Sequence, residues 1–161
     1  MTTYVFILMM FSLGLYLMRQ HGRYEAERSL LLGELKILLE SLGREITVLG
    51  RSPELCSLEG ELSVLASYGF FSSLRASGDF GASLKKTLPR LPLPPRAATL
   101  LSEYAESFGR ADRAGEERAL SHLLAALSPI FEKEPDAAKT RVRTFRIVTV
   151  TLLLSVAILL V

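Results

Sequence analysis

Apolar residues without any charge occupy both ends of the chain, and charged residues occupy its middle. Residues 1–18 and 147–161 contain no Asp, Glu, Lys or Arg. Eighteen helical residues extend about 27 Å, close to the ~30 Å hydrocarbon core of a bilayer, and fifteen extend about 22 Å. The pattern predicts a transmembrane helix at each end, with a polar region between them.

Each apolar end has an alternative interpretation. The first could be a secretory signal peptide, but residues 1–3 carry no basic side chain and residues 17–20, Leu-Met-Arg-Gln, offer no cleavage site between small residues. The second could be a buried core helix, but Thr149, Thr151 and Ser155 are its only polar residues and do not make a polar face. We favour an uncleaved anchor at the first end. At the second we favour a lipid-embedded helix, lengthened by Arg146 reaching back to the interface.

Basic residues flank both apolar segments on the inner side only. We expect six of them to lie at the membrane interface: Arg19, Arg23, Lys139, Arg141, Arg143 and Arg146. Basic flanks stay on the cytoplasmic side during insertion, so the middle of the chain is predicted to be cytoplasmic. Next to an apolar helix such residues meet anionic lipid headgroups rather than nucleic acid. The sequence therefore predicts a protein of the cell membrane with membrane lipids as partners.

The first half of the middle shows helical periodicity. Between residues 28 and 49, Leu and Ile recur every three or four positions, which indicates an amphipathic helix from about Arg23 to a stop at Gly50. Residues 52–54, Ser-Pro-Glu, are typical of a helix start. Leucines at helical spacing follow, which predicts a second helix through residues 55–65.

Shorter helices are predicted in the second half. Residues 70–76 and 82–88 are candidate helices, separated by a loop at 77–81, and the four prolines of 89–95 form a connector. Pro95 can begin a helix over 97–108, which Gly109 closes. A last helix begins near residue 114, and Pro129 and Pro135 are expected to kink or restart it. No alternating apolar pattern predicts a strand.

These elements predict an all-α fold, an antiparallel bundle of about six helices flanked by two transmembrane helices. We expect an N-terminal anchor at residues 1–22, a cytosolic bundle at 23–145 and a C-terminal transmembrane helix at 146–161. Composition agrees, because 22% of the 161 residues are charged while the mean hydropathy is still positive, +0.30. A plain soluble globule and a disordered chain are therefore excluded.

Candidate chemistry is sparse. His21 and His122 have no Cys or His neighbour at the spacing of metal ligands, so we expect an interfacial and a surface residue. Cys56 is the single cysteine, and no base is apparent for it or for Ser52. Residues 78–81, Gly-Asp-Phe-Gly, lack the lysine and the strand of a phosphate loop. We expect no enzyme activity, cofactor or metal; a membrane-tethered enzyme using Cys56 or a histidine is the minor alternative.

Two short motifs resemble known families. Residues 77–84, Ser-Gly-Asp-Phe-Gly-Ala-Ser-Leu, precede a proline connector, and residues 105–109, Ala-Glu-Ser-Phe-Gly, follow it. This order resembles the cytosolic helical domain of the type II secretion platform protein F, with its Gly-Glu-x-x-Gly motif. Given the apolar helix at each end and the basic run before the second, the whole layout is similar to the stage III sporulation protein AB family. Residues 112–116, Asp-Arg-Ala-Gly-Glu, depart from that family's usual Leu-Gly-x-Ser-Asp, and the two prolines at 129 and 135 are unusual in its last helix.

The resemblance implies a structural role. The protein would be a non-enzymatic platform component of a secretion-like channel assembly between mother cell and forespore, in the mother-cell membrane surrounding the forespore. Its implied partners are a cytosolic motor ATPase of the stage III sporulation protein AA type and other membrane components of the assembly; homo-oligomerisation is left open. The packing or interaction positions implied are Gly78, Gly81, Leu84, Glu106, Phe108 and Gly109. We expect Glu106 to cap a helix or pair locally. The alternative is a membrane-tethered regulator that senses lipid charge.

Overall fold

The computed structural model describes residues 2–48 and 55–160, and every regular element in those ranges is helical. The α-helices are α1 (Thr2–Val48), α2 (Ser63–Ser67), α3 (Phe70–Ser77), α4 (Phe80–Thr87), α5 (Pro95–Ser107) and α6 (Arg113–Leu160), with 3₁₀ turns at Leu55–Gly60 and Leu88–Arg90. The predicted all-α class is confirmed for the described residues. The predicted helix stop at Gly50 and the predicted cap at residues 52–54 lie outside them.

The long helices differ from the prediction in their extent. The apolar ends are not separate helices, since α1 continues from the first apolar segment into the charged region and α6 continues into the second. Helix α6 also passes through Pro129 and Pro135, where we predicted a kink or a restart. A proline removes one backbone hydrogen bond. Just after Pro129, Ile130 and Phe131 pack against the core.

The leucines at positions 55–65 form two short elements instead of the single helix that was predicted. A 3₁₀ turn, Leu55–Gly60, is followed by the separate helix α2. The carboxylate of Glu34, on α1, accepts hydrogen bonds from the backbone N–H of Val64 at 3.0 Å and of Leu65 at 2.8 Å. These bonds satisfy the free amides of a new helix start. A distant side chain thus decides where α2 begins, and helical periodicity alone cannot show it.

Helices α3 to α5 follow the predicted order closely. Helix α3 ends at Gly78, whose φ of 66° lies in the left-handed region that glycine adopts without strain. Helix α4 begins at Phe80, so the predicted loop through residue 81 is shorter than expected. Helix α5 begins at Pro95, as predicted, with proline in its first turn.

The chain divides into two compact units. Unit 2, Leu30–Lys133, holds the hydrophobic core. Its largest fully buried side chains are Phe70, Phe71, Phe80, Leu31, Leu35, Leu38, Leu39, Leu42, Leu55, Leu62, Leu65 and Leu84. The stripe of α1 predicted to face a core does so: Leu31, Leu35, Leu38 and Leu42 are each at most 1% exposed.

Unit 1 comprises the described parts of Met1–Ser29 and Glu134–Val161, and is an antiparallel pair formed by the start of α1 and the end of α6. The order of its cross-helix contacts is Gly14 with Leu153, His21 with Phe145, Glu25 with Arg141, and Arg28 with Glu134. Residue numbers rise along α1 while the numbers of their contact partners fall along α6, as they do in an antiparallel pair. This unit holds both predicted membrane segments.

One helix in the described part of the chain is long and apolar enough to cross a membrane, by length and composition. It is Arg113–Leu159, whose most apolar 18-residue window has a mean hydropathy of 1.9 and is 6% buried. Two membrane spans therefore stay a prediction, as do the domain limits at residues 22 and 146.

Candidate functional site

Three of the six positions singled out by the family resemblance, Gly81, Glu106 and Phe108, meet on one face of unit 2, formed by α4, α5 and the loop after α5. We call this the α4–α5 face. It contains a shallow cavity of about 510 Å³, lined by Asp79, Gly81, Ala82, Lys85, Ala105, Glu106, Phe108 and Arg110.

The turn into α4 is built by hydrogen bonds from short polar side chains. Asp79 caps α4, because its carboxylate accepts a 2.9 Å hydrogen bond from the backbone N–H of Gly81. The hydroxyl of Ser83 donates to the carbonyl of Asp79 at 2.7 Å and lies 2.8 Å from the hydroxyl of Ser77. Together with Gly78 these residues fix the angle between α3 and α4.

Gly81 marks the closest approach of α4 to α5. A Cβ atom at this position would lie 2.7 Å from the carbonyl oxygen of Ala105 and 3.3 Å from the Cβ of Phe108. The first atom is backbone of a helix and cannot move without shifting α5. A glycine is therefore required by packing here, although its own backbone is ordinary helix and only the neighbouring helix explains the requirement.

Leu84 and Phe108 anchor the face to the core. Leu84 is fully buried. The ring of Phe108 lies 5.1 Å from that of Phe80 and 5.7 Å from that of Tyr104, in tilted and edge-on arrangements that aromatic rings favour. Burial, and then the negative charge of Glu116, raise the pKa of the Tyr104 phenol.

Glu106 forms a local ion pair on the surface of this face. The Nζ of Lys85 donates to its carboxylate at 2.9 Å, and both side chains are more than half exposed. The hydrogen bond from Lys85 and the charge of that lysine lower the pKa of Glu106. The pair bridges α4 and α5, and its exposure makes its contribution to stability small.

Gly109 begins the loop that departs from the family pattern. Its φ of 79° is left-handed, and its N–H donates to the carboxylate of Glu116 at 2.7 Å. The N–H of Ala111 reaches the same oxygen at 3.4 Å. At the start of α6, Asp112 accepts from the N–H of Gly115 at 3.0 Å. The acid kept at residue 116 therefore serves to hold the loop.

The charges around the α4–α5 cavity are balanced. Asp79 and Glu106 are offset by Lys85 and Arg110, and most of the exposed surface of the cavity is polar. Such a surface suits contact with another protein more than capture of a strongly charged small ligand. The six resemblance positions thus divide into turn (Gly78, Gly109), close packing (Gly81, Leu84, Phe108) and surface pairing (Glu106).

The basic residues predicted at the membrane interface all lie in unit 1, but they do not share one role. Arg19, Arg23, Lys139, Arg143 and Arg146 are exposed. Arg141 instead turns towards α1, where its guanidinium donates to Glu25 at 2.8 and 3.1 Å, and it also donates to Glu134 of its own helix at 2.7 Å. These carboxylates raise its pKa, with the hydrogen bond that Arg141 donates to Glu25 as the main cause. Arg141 is thus occupied within the protein.

A four-residue network joins the two helices of unit 1. Arg28 also pairs with Glu134, at 3.0 Å, so two arginines and two glutamates alternate in charge. Glu25 is 4% exposed, the most buried acidic residue among the described ones. A buried carboxylate needs such partners to remain charged.

Sequence reasoning missed Glu25 and Glu34 as structural residues. Both lie on α1 away from the leucine stripe, and such positions are usually solvent-exposed. No signal in α1 itself indicates their partners, which lie 116 and about 30 residues further along the chain. For Glu25 the one available signal was its position, because an acidic residue close to a predicted membrane interface suggests a basic partner.

The other candidate residues are placed simply. His122 is exposed on α6, as expected, and the ring of His21 lies 4.4 Å from that of Phe145 within unit 1. The side chain of Cys56 lies outside the described residues. Among the described residues there is no group of three or more Cys, His, Asp or Glu that could hold a metal ion.

Comparison with known proteins returns no match: no family model fits the chain, and no curated protein or solved structure is significantly similar to it.

Proposed function

We propose that this protein is a doubly anchored, non-enzymatic membrane platform whose central helical unit docks protein partners. The observation that carries the proposal is the pairing register of unit 1. Glu25 pairs with Arg141 and His21 stacks on Phe145, so residue numbers across the pair add to about 166. The same register sets Arg19 level with residue 147, where the second uncharged segment begins.

The two uncharged segments are therefore aligned side by side, with both charged borders at one level. That alignment is what a two-helix membrane hairpin requires, and a chance pairing of two core helices would not need it. Close packing supports the same interpretation, because Gly14 is buried and a Cβ there would lie 2.5 Å from a terminal methyl of Leu153. Small residues at such contacts are typical of membrane helix pairs.

The partners in the proposal come from the family resemblance. By that analogy the central unit docks a cytosolic motor ATPase of the stage III sporulation protein AA type and joins other membrane components of a channel assembly. The assembly would lie in the mother-cell membrane around the forespore. The α4–α5 face supports the proposal in one respect, because its charges are balanced and do not favour a strongly charged small ligand.

Cysteine labelling tests the membrane arrangement. In a Cys56→Ser background, produced in non-sporulating cells so that the chain inserts into the outer cell membrane, Thr3→Cys should react with a membrane-impermeant maleimide in intact cells. Glu103→Cys, exposed in unit 2, should react only after lysis. Carbonate extraction should leave both variants in the membrane fraction. Labelling of Glu103→Cys in intact cells, or release by carbonate, would contradict the double anchor.

Partner capture tests the docking role. The tagged full-length chain, solubilised in mild detergent, should retain a secretion-type ATPase and further membrane proteins. A charge reversal on the α4–α5 face, Lys85→Glu with Glu106→Lys, keeps the local pair but should weaken retention if that face docks. Recovery of the wild-type chain alone would count against the platform, and full function of a variant with Ala at Cys56, His21 and His122 would count against the enzyme alternative.

A further inference from the structure

We propose that the groove between the two helices of unit 1 binds one anionic phospholipid, with its phosphate at Arg143 and Arg146 and its upper acyl chain along the apolar wall. The groove is a cavity of about 730 Å³. This volume lies within the range of small-molecule sites. The proposal rests on the membrane placement argued above, since the groove lies at the charged border of the two segments.

Three cations form one side of the groove. Lys139, Arg143 and Arg146 all line it, and their spacing of four and then three residues puts them on one face of α6. Lys139 forms an exposed pair with Asp136 at 3.1 Å. Within the described residues neither Arg143 nor Arg146 has an ion-pair partner, so their charge is available to a ligand.

The one acidic residue lining the groove does not oppose an anion. Glu25 is held by Arg141 through two hydrogen bonds, at 2.8 and 3.1 Å. Its charge is thereby compensated inside the protein, and the groove keeps a net positive character. Arginine is suited to this ligand, because its planar guanidinium can give two parallel hydrogen bonds to one phosphate.

The opposite wall explains why a lipid fits better than a free anion. On α1 the groove is lined by Gly22 and Ala26, whose small side chains leave space, and a Cβ at Gly22 would meet nothing within 4 Å. Val142 and Ile147 supply apolar surface on α6. Ile147 is the first residue of the uncharged segment, so a chain that starts at the arginines can continue along it into the hydrocarbon. Inorganic phosphate would leave this surface uncovered.

Native mass spectrometry of the full-length chain in mild detergent gives a direct test. The chain is incubated with phosphatidylglycerol or with phosphatidylcholine, and bound lipids are counted. The test variant is Arg143→Gln with Arg146→Gln. The matched control is Arg19→Gln with Arg23→Gln, which removes two exposed arginines near the same border that do not line the groove.

The wild-type chain and the control should each retain one phosphatidylglycerol and release phosphatidylcholine. The test variant should bind phosphatidylglycerol roughly 30-fold more weakly, because each cation near a headgroup changes affinity about fivefold. A third variant, Gly22→Leu, keeps every charge and fills open space. It should also lose the lipid, whereas added inorganic phosphate should not displace the lipid from the wild-type chain.

Equal losses in the two double variants would indicate general attraction to charge and would overturn the site. Retention of the lipid by Gly22→Leu would overturn the groove as its location, and displacement by phosphate would make the ligand a free anion. A wild-type chain that integrates into membranes but retains no phosphatidylglycerol refutes the lipid site alone. A chain released by carbonate refutes both this site and the membrane platform.

Discussion

The two compact units of this chain place their apolar side chains in opposite ways. In unit 2 large apolar side chains are buried and charges are outside, as expected for folding in water. In unit 1 the buried Glu25 belongs to an ionic network between the helices, while most large apolar side chains face outward along both helices. Of the large apolar side chains described as exposed, all but Leu30 and Ile37 belong to unit 1.

The contrast is what we expect if unit 1 folds in lipid, as proposed, and unit 2 folds in water. Surface apolar side chains that cover whole helices are costly in water and neutral in lipid. Polar groups that would be exposed to the membrane border can instead pair between helices. Four predictions test whether the two units are stabilised by different contacts, beginning with the largest expected effect.

Removal of a buried ring in unit 2 should be severely destabilising. Phe80→Ala, at a side chain 2% exposed, is expected to lower the free energy of unfolding by about 3–5 kcal/mol, through lost burial and the cavity left behind. Chemical denaturation of the full chain in detergent, followed by circular dichroism, measures it. Leu152→Ala, at an exposed apolar position in unit 1, should change the same quantity by less than about 0.5 kcal/mol. Comparable losses of unfolding free energy in the two variants would contradict the proposed difference between unit 1 and unit 2.

Neutralising the buried acid of unit 1 should have the next largest effect. Glu25→Gln keeps the shape but leaves Arg141 with one carboxylate partner. Because Arg141 is 37% exposed, we expect a loss of about 1–3 kcal/mol, less than for a fully buried pair. Thermal unfolding of the full chain in detergent is the readout. Asp136→Asn breaks the fully exposed pair with Lys139 and should have almost no effect. If neither substitution lowered the unfolding temperature, the ionic network would not stabilise the two paired helices of unit 1.

The close approach at Gly81 should distinguish packing from helix propensity. Gly81→Ala places a Cβ against the carbonyl of Ala105 and should cost about 1–3 kcal/mol. Gly33→Ala is the matched control, a helical glycine of the same unit with open space around it. It should stabilise by up to about 1 kcal/mol, since alanine favours helix. Opposite signs in urea denaturation are expected, and the same sign at both positions would contradict the packing argument.

The smallest effect is expected at the surface pair of Glu106 and Lys85. Because the pKa of Glu106 is lowered in the folded protein, its contribution is complete above the ordinary pKa of a glutamate. It is lost as the pH falls through the lowered pKa. The unfolding temperature of Glu106→Gln should therefore be slightly lower than that of the wild type at pH 7. In strong acid the two unfolding temperatures should be equal. A difference that grew on acidification would show that the pair does not act in this way.

Much of the fold follows from local patterns. The leucine stripe of α1 predicts which face is buried, and Pro95 predicts the start of α5, because both depend on residues within a few turns. The second helix was misjudged because Gly60 and the distant carboxylate of Glu34 divide it. Of the kink or restart predicted at Pro129 and Pro135, the restart is excluded because α6 is continuous. The packing of Ile130 and Phe131 against the core, just after the first proline, could not be seen in the local sequence.

The candidate site shows the same division. Gly78 and Gly109 could be recognised as turn residues from their positions after apolar runs, and both have positive φ. The need for glycine at position 81 could not be recognised from the sequence, because a side chain there is excluded by the backbone of another helix, α5. Likewise, the basic character of residues 139–146 is visible in the sequence, but nothing there shows that Arg141 pairs inward while Arg143 and Arg146 remain available.

The sequence by itself determined the helical class, the uncharged ends, the side of the membrane expected for the middle, and the scarcity of catalytic groups. These properties depend on composition and on apolar residues that recur every three to four positions. Only the tertiary structure decided that the two ends pair in register, that Glu25 lies between them, and that a cationic groove opens beside it. The physical reason is that contacts between residues more than a hundred positions apart depend on how helices pack, and hydrophobic periodicity identifies a buried face without identifying its partner.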